Sequence, residues 1–143
     1  MSVTIDTNIL VYAANPLDAA HADALAAIER LGNASDLVTL FWPVIFGFLR
    51  ITTNQRIRET PASLADSVDW LKALTAPAHV RVAGEPADFL QTFIDLVGPG
   101  IRGDLVPDAH IAALMRRHGV RTIYTRDRDF RRFDGIDVVD PCA

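Results

Sequence analysis

A single cysteine, Cys142, stands one residue from the end of the 143-residue chain, so no internal disulfide can form. Its terminal placement marks the thiol as a bystander on a loose tail in a reducing compartment rather than a nucleophile. Lysine also occurs once, at Lys72, within a mid-chain amphipathic stretch. There is no Gly-x-x-x-x-Gly-Lys phosphate loop and no Gly-x-Ser-x-Gly elbow for a serine nucleophile. Soft-metal ligation lacks a Cys pair or a His-x-x-x-His pair, and His21 has no ligand at suitable spacing beside it, which places it on the surface. The longest apolar run, Leu37 to Leu49, is too short to span a bilayer and contains Pro43, while Met1-Ser2-Val3-Thr4 has no basic leader-type start. These absences lead us to expect a cytoplasmic protein without membrane association. Repeats, low-complexity tracts and linkers are missing as well, so residues 1–143 are expected to form one domain with a substantial core.

Acidic and basic residues are unevenly spread. The net charge is −4, yet Arg116 to Arg132 carries seven arginines against two aspartates, a local excess of +5 that leaves −9 elsewhere. Such a run is either a solvated helix end and turn or a face that meets phosphates.

Short apolar runs alternate with helical periodicity along the chain. Val3 to Ile5 predicts a strand, ended by Asp6-Thr7-Asn8 and followed by helical Ile9 to Ala14. Ala19 to Leu31 forms an alanine-rich helix with a stripe of Ala24, Leu25, Ile28 and Leu31. Asp36 to Leu40 is the second strand. Trp42-Pro43 then opens a helix that is apolar on several faces through Leu49, and such a segment is buried or shared with a second subunit. Arg50, Arg56 and Arg58 follow. Pro61 to Leu74 predicts a helix with Leu64, Val68 and Leu71 inward, Val80 to Val82 a strand, Pro86 to Leu96 a helix, and Val97 to Gly103 a glycine-rich loop. From Pro107 a helix carries Ile111, Leu114 and Met115, gathers cations in its last turn and stops at Gly119. Val120 to Tyr124 is the next strand, and Val138-Val139 a last one. The alternation fits an α/β fold with a mainly parallel sheet covered on both faces.

In such folds ligands gather beyond the carboxyl ends of the strands. Asp6 follows the first strand and Asp127 follows the strand at Tyr124, while Asp108 lies in the first turn of the helix between. Asp6 alone would be an ordinary helix N-cap. Three carboxylates converging near water, however, repel one another unless protonated or bridged by a cation, and a hard ion such as Mg²⁺ or Mn²⁺ suits their oxygens.

Asp6-Thr7-Asn8 after the first strand, Pro107-Asp108-Ala109-His110-Ile111-Ala112-Ala113 on a late helix, and Thr125-x-Asp127-x-Asp129-Phe130 after the next strand resemble the motifs of PIN domains. The likeness runs over nearly the whole chain, and its nearest variety is the VapC-type toxin of bacterial toxin-antitoxin pairs. The resemblance implies a three-layer α/β/α sandwich and a Mg²⁺- or Mn²⁺-dependent endoribonuclease. It implies metal-site carboxylates at Asp6, Asp108 and Asp127, with Asp129 as an additional acid and Asn8 and Thr125 as supports. It also implies a VapB-type antitoxin partner and a homodimer, with Arg50, Arg126 and Arg128 available to RNA phosphates. One position departs from the pattern. A Trp-Pro-x-x-x-Glu-Phe-Leu-Arg-like stretch is expected after the second strand, and this chain has Gly47 where the acid would stand. Either another helix packs closely against Gly47, or the change inactivates the enzyme and leaves a module that binds RNA or antitoxin without cleaving.

Receiver domains and haloacid-dehalogenase-like phosphatases also set Asp and Mg²⁺ at strand ends. They call for a lysine beside the phosphoryl group, and Lys72 is in a helix with no strand before it.

Overall fold

The computed structural model describes residues 2–33, 35–57 and 60–143; Arg58 lies outside them. Five short strands form one sheet: β1 (Ser2–Ile5), β2 (Leu37–Phe41), β3 (Val80–Ala83), β4 (Thr122–Tyr124) and β5 (Asp137–Val139), in the order β3-β2-β1-β4-β5. The expected mainly parallel sheet is parallel throughout, with β1 central and Val3 paired to both Val38 and Thr122. The strands that meet the core are near-continuous apolar runs, as strands covered on both faces must be.

The helices are α1 (Thr7–Ala14), α2 (His21–Asn33), α3 (Trp42–Thr52), α4 (Leu64–Thr75), α5 (Phe89–Val97) and α6 (Val106–Arg117). The chain steps from β1 to β2 to β3 in one direction, then returns past both to β4. Right-handed crossovers therefore put the helices of these two legs on opposite faces. The packing agrees, since α1 contacts α2 and α3, α3 contacts α4, and α5 pairs with α6. The three-layer expectation is met by this arrangement of helices about one sheet.

Several boundaries differ from the sequence reading for local reasons. Helix α4 starts at Leu64 because the Ser63 hydroxyl accepts from the Asp66 N–H at 3.0 Å, and Leu64 is 59% exposed rather than inward. Strand β4 starts at Thr122 because Gly119, at φ +68°, turns the chain and the Val120 N–H is spent on the Met115 carbonyl. Helix α6 is buried almost all round: Ala109, Ile111, Ala112, Ala113, Leu114 and Met115 are all inside. Its small alanines permit close approach of the neighbouring elements. Cys142 is not on a loose tail; it packs partly buried against the core, and that burial pushes its thiol pKa up. Among the described residues no helix is long and apolar enough to cross a membrane.

Candidate metal centre and cleft

The sheet order changes direction at β1 and β4, so the crevice that open α/β sheets reserve for ligands falls between their carboxyl ends. Asp6 leaves β1 there with its N–H bonded to the Tyr124 carbonyl of β4 at 2.9 Å. Its side chain caps α1, with Oδ1 accepting from the Thr7 N–H at 2.7 Å. The other oxygen accepts from the Thr125 hydroxyl, also at 2.7 Å.

Thr125, fully buried at the end of β4, ties the site together. Its hydroxyl oxygen accepts from the Asp127 N–H at 2.9 Å and, at 3.4 Å, from the side-chain amide of Asn8. Asp127 in turn accepts from the Asp129 N–H at 2.9 Å, which curls the segment into a 3-10 turn, Arg128–Arg132. Of the two positions inferred as supports, Thr125 bonds the Asp6 carboxylate directly, whereas Asn8 bonds Thr125. The side-chain carbonyl oxygen of Asn8 is buried without a hydrogen-bond partner among the described residues, an acceptor left over beside the acids.

Asp108 comes from the first turn of α6 on the opposite helical layer. Asp108, Asp127 and Asp129 each place a carboxylate oxygen within 4.8 Å of one another. Asp6 is not in that tight trio, though its charge acts on Asp108. Burial pushes the Asp108 carboxyl from 3.8 up to about 7, helped by the charges of Asp127 and Asp6 and by a hydrogen bond to Asp127 that favours its protonated form. Asp6 is raised too, chiefly by burial, against the bonds from Thr125 and Thr7 that pull it down. A cluster of carboxylate oxygen donors, with no His or Cys among its members, fits a hard divalent cation. The acids are consistent with a metal site, and Asp6, Asp108 and Asp127 line a cleft of about 720 Å³.

The arginines divide. Arg50 is on the cleft wall. Arg126 is already engaged, with its Nε 3.9 Å from Asp140 and its guanidinium carbon 5.9 Å from the centroid of the Tyr12 ring. Arg128 is exposed on the turn after Asp127. The sequence reading passed over Tyr12, which lines the cleft. Its place four residues after Asn8 on α1 was the available signal, because i and i+4 share a helix face.

Gly47 has a physical explanation in the contact between α1 and α3. A Cβ built there would lie 3.1 Å from the Thr7 hydroxyl oxygen, which itself donates to the Val44 carbonyl at 3.3 Å. Thr7 adjoins Asp6, so position 47 is next to the site, and a side chain there would require the Thr7 hydroxyl to give by a few tenths of an ångström.

The PIN domain description matches residues 3–136. Ribonuclease VapC48 of Mycobacterium tuberculosis is 40% identical over 142 residues, covering 99% of this chain and 98% of that protein. Ribonuclease VapC37 of the same species is 32% identical, covering 97% of this chain and 96% of the relative. Among solved structures, the M. tuberculosis VapC20, described as a sarcin-ricin loop cleaving toxin, superposes with a TM-score of 0.67 at 23% identity, covering 96% of this chain and 99% of that one. VapBC2 of Rickettsia felis, bound to a promoter DNA fragment, gives 0.66 at 16% identity over 97% and 98% of the two chains. With the acids at the crossing of β1 and β4 and likeness over essentially its full length, the chain belongs to the PIN domain family and is related to the VapC ribonucleases.

Proposed function

We propose that this protein is a metal-dependent endoribonuclease, the toxin of a VapBC-type toxin-antitoxin pair. The observation that carries the reading is the open cleft lined by Asp6, Asp108 and Asp127, in which burial raises the carboxyl pKa of Asp6 and of Asp108. A Mg²⁺ or Mn²⁺ ion held by Asp108, Asp127, Asp129 and Asp6 would supply a water of lowered pKa and neutralise charge on the phosphodiester. The chain's own residues do the rest. Thr125 fixes the relative positions of Asp6 and Asp127 through one hydroxyl, and Arg50 offers a guanidinium on the wall of the same cleft for a phosphate of the RNA. Arg126 and Arg128 lie on the segment that carries Asp127 and extend the basic surface along the strand's path.

The names of the relatives support RNA as substrate, and the VapBC likeness supports a VapB-type antitoxin as partner. A homodimer is supported by Trp42 and Phe46 of α3, which remain 48% and 63% exposed while Val44, Ile45 and Phe48 are consumed by the chain's own core. Gly47 is taken here as a packing glycine at the α1–α3 contact, and the four remaining acids as sufficient for cleavage.

The test is cleavage of a broad structured RNA pool with Mg²⁺, with Mn²⁺ and with a chelator. Cutting that needs the metal and disappears in Asp6→Asn supports the reading. RNA binding without cutting under every condition replaces it with the non-cleaving module, and light scattering at tens of micromolar decides the dimer.

A further inference from the structure

Besides Asp6, Asp108 and Asp127, the cleft is lined by apolar, aromatic and amide side chains and by one further acid, Asp18. Helix α1 and its C-cap present Asn8, Val11, Tyr12 and Asn15 to it. Those positions are i, i+3, i+4 and i+7, one stripe along the helix. Six residues separate Asp6 from Tyr12, roughly 9 Å along the axis at the helical rise.

Tyr12 is partly buried, packed against the core. Its carbonyl accepts from the Asn15 N–H at 3.2 Å and lies 3.0 Å from His21 Nδ1, so the ring is carried on a pinned helix end. Arg126 lies against the ring and is itself held by Asp140. An apolar ligand would gain little from a guanidinium at this place, and a phosphate would gain little from the ring. A flat, polar-edged base suits both, since bases stack on aromatic rings and on guanidinium planes alike, and Arg50 across the cleft suits the backbone that follows.

We propose that Tyr12 and Arg126 form a stacking subsite for one unpaired base of a single-stranded RNA segment, making Tyr12 a specificity residue; the proposal rests on the ribonuclease reading above. A base within a duplex has both faces covered, so the subsite selects loops, bulges or single strands.

The experiment is fluorescence anisotropy with labelled single-stranded 12-mers, Ca²⁺ as the divalent ion and fixed salt, scanning an abasic site along the RNA. In the wild type, removing the base at one position should weaken binding about tenfold, within the range for base–aromatic stacking. Tyr12→Leu should lose the same factor on intact RNA and be indifferent to the abasic site, while Tyr12→Phe should match the wild type. A flat abasic scan overturns the subsite, as does Tyr12→Leu binding like the wild type, or Tyr12→Phe failing as badly as leucine. Circular dichroism checks the fold, and if Tyr12→Leu does not fold, the scan on the wild-type chain decides. Metal-dependent cleavage by the wild type with a flat scan removes the subsite and leaves the ribonuclease standing. A wild type that neither binds nor cuts RNA removes both.

Discussion

The carboxyl edge of the sheet has two halves that follow opposite rules. Beyond β2 and β3 it is plugged: Trp42 covers Gly84, the ring of His118 lies 5.7 Å from that of Phe41, and His118 Nε2 is 2.9 Å from the Gly84 carbonyl. Beyond β1 and β4 it is open and lined by acids, and there the charges of Asp127 and Asp6 add to burial in raising the Asp108 pKa. The same topology produced both halves. The difference is that sheet order reverses only at β1 and β4, where no crossover helix passes over the strand ends. One half is thus filled by packed rings, and the other leaves its carboxylates facing a cleft.

The sharpest way to break this contrast is Asp127→Asn. Cleavage should fall on the order of 10³-fold, the scale of losing a group that stabilises transition-state charge. Circular dichroism should stay unchanged, and single-turnover cleavage measures the loss. A variant that still cuts at even a tenth of the wild-type rate would remove the acids from the mechanism.

The open half should also govern how stability depends on pH. The Asp108 carboxyl is raised from 3.8 to about 7, so between those values the folded state binds more protons than the unfolded one. Its contribution is full below the unfolded pKa and is lost as pH rises through about 7, so the metal-free protein weakens from about pH 4 to pH 7. Divalent metal needs the ionised acids, and its stabilisation should grow over the same interval. With metal at about a hundred times its Kd the gain is about 2.7 kcal/mol. Melting curves at pH 5.5 and pH 8, with and without Mn²⁺, check this. Asp108→Asn should flatten the metal-free slope and raise stability at pH 8 by about 1 kcal/mol, a modest figure because solvent screens a partly exposed carboxyl. Equal metal shifts at both pH values would contradict the assignment.

In the plugged half, Gly84→Ala should do the reverse. A Cβ there would stand 2.8 Å from the Trp42 ring, so the ring must swing, costing about 1 kcal/mol of stability. Urea unfolding should show that loss while cleavage stays within about twofold. A large fall in activity would mean the two halves are coupled.

The smallest effect is expected where the halves meet. Alanine in place of a helix-interior glycine ordinarily gains about 1 kcal/mol, but the Thr7 hydroxyl stands 3.1 Å from the new Cβ. Gly47→Ala should thus change stability by no more than about 0.5 kcal/mol, and Gly47→Glu should not increase cleavage. A marked gain in cutting by Gly47→Glu would restore the view that the missing acid limits this enzyme.

Much of this was legible in the sequence, because apolar periodicity separates helices from strands and because acids at element ends stand out. Asp6, Asp108 and Asp127 were visible in that way. What escaped depends on partners far along the chain. The contact of Gly47 with Thr7 was hidden because Thr7 belongs to another helix. Tyr12 looked like one more apolar residue of α1, since nothing local shows that Arg126 lies against it. The burial of α6 all round was hidden because Ala109, Ala112 and Ala113 contribute little to an amphipathic pattern, and the exposure of Leu64 follows from where Ser63 starts α4.

The Thr125 hydroxyl joins Asp6 to the Asp127 backbone across 119 residues of chain. A ribosome releases the N-terminal acid early and the last acids near the end of synthesis, and β1 lacks its β4 neighbour until then. A truncated translation product thus carries Asp6 without the partners that hold it, and no such fragment contains the assembled centre. Whatever chemistry needs Asp6 and Asp127 together therefore waits for the strand and turn that end at Asp127.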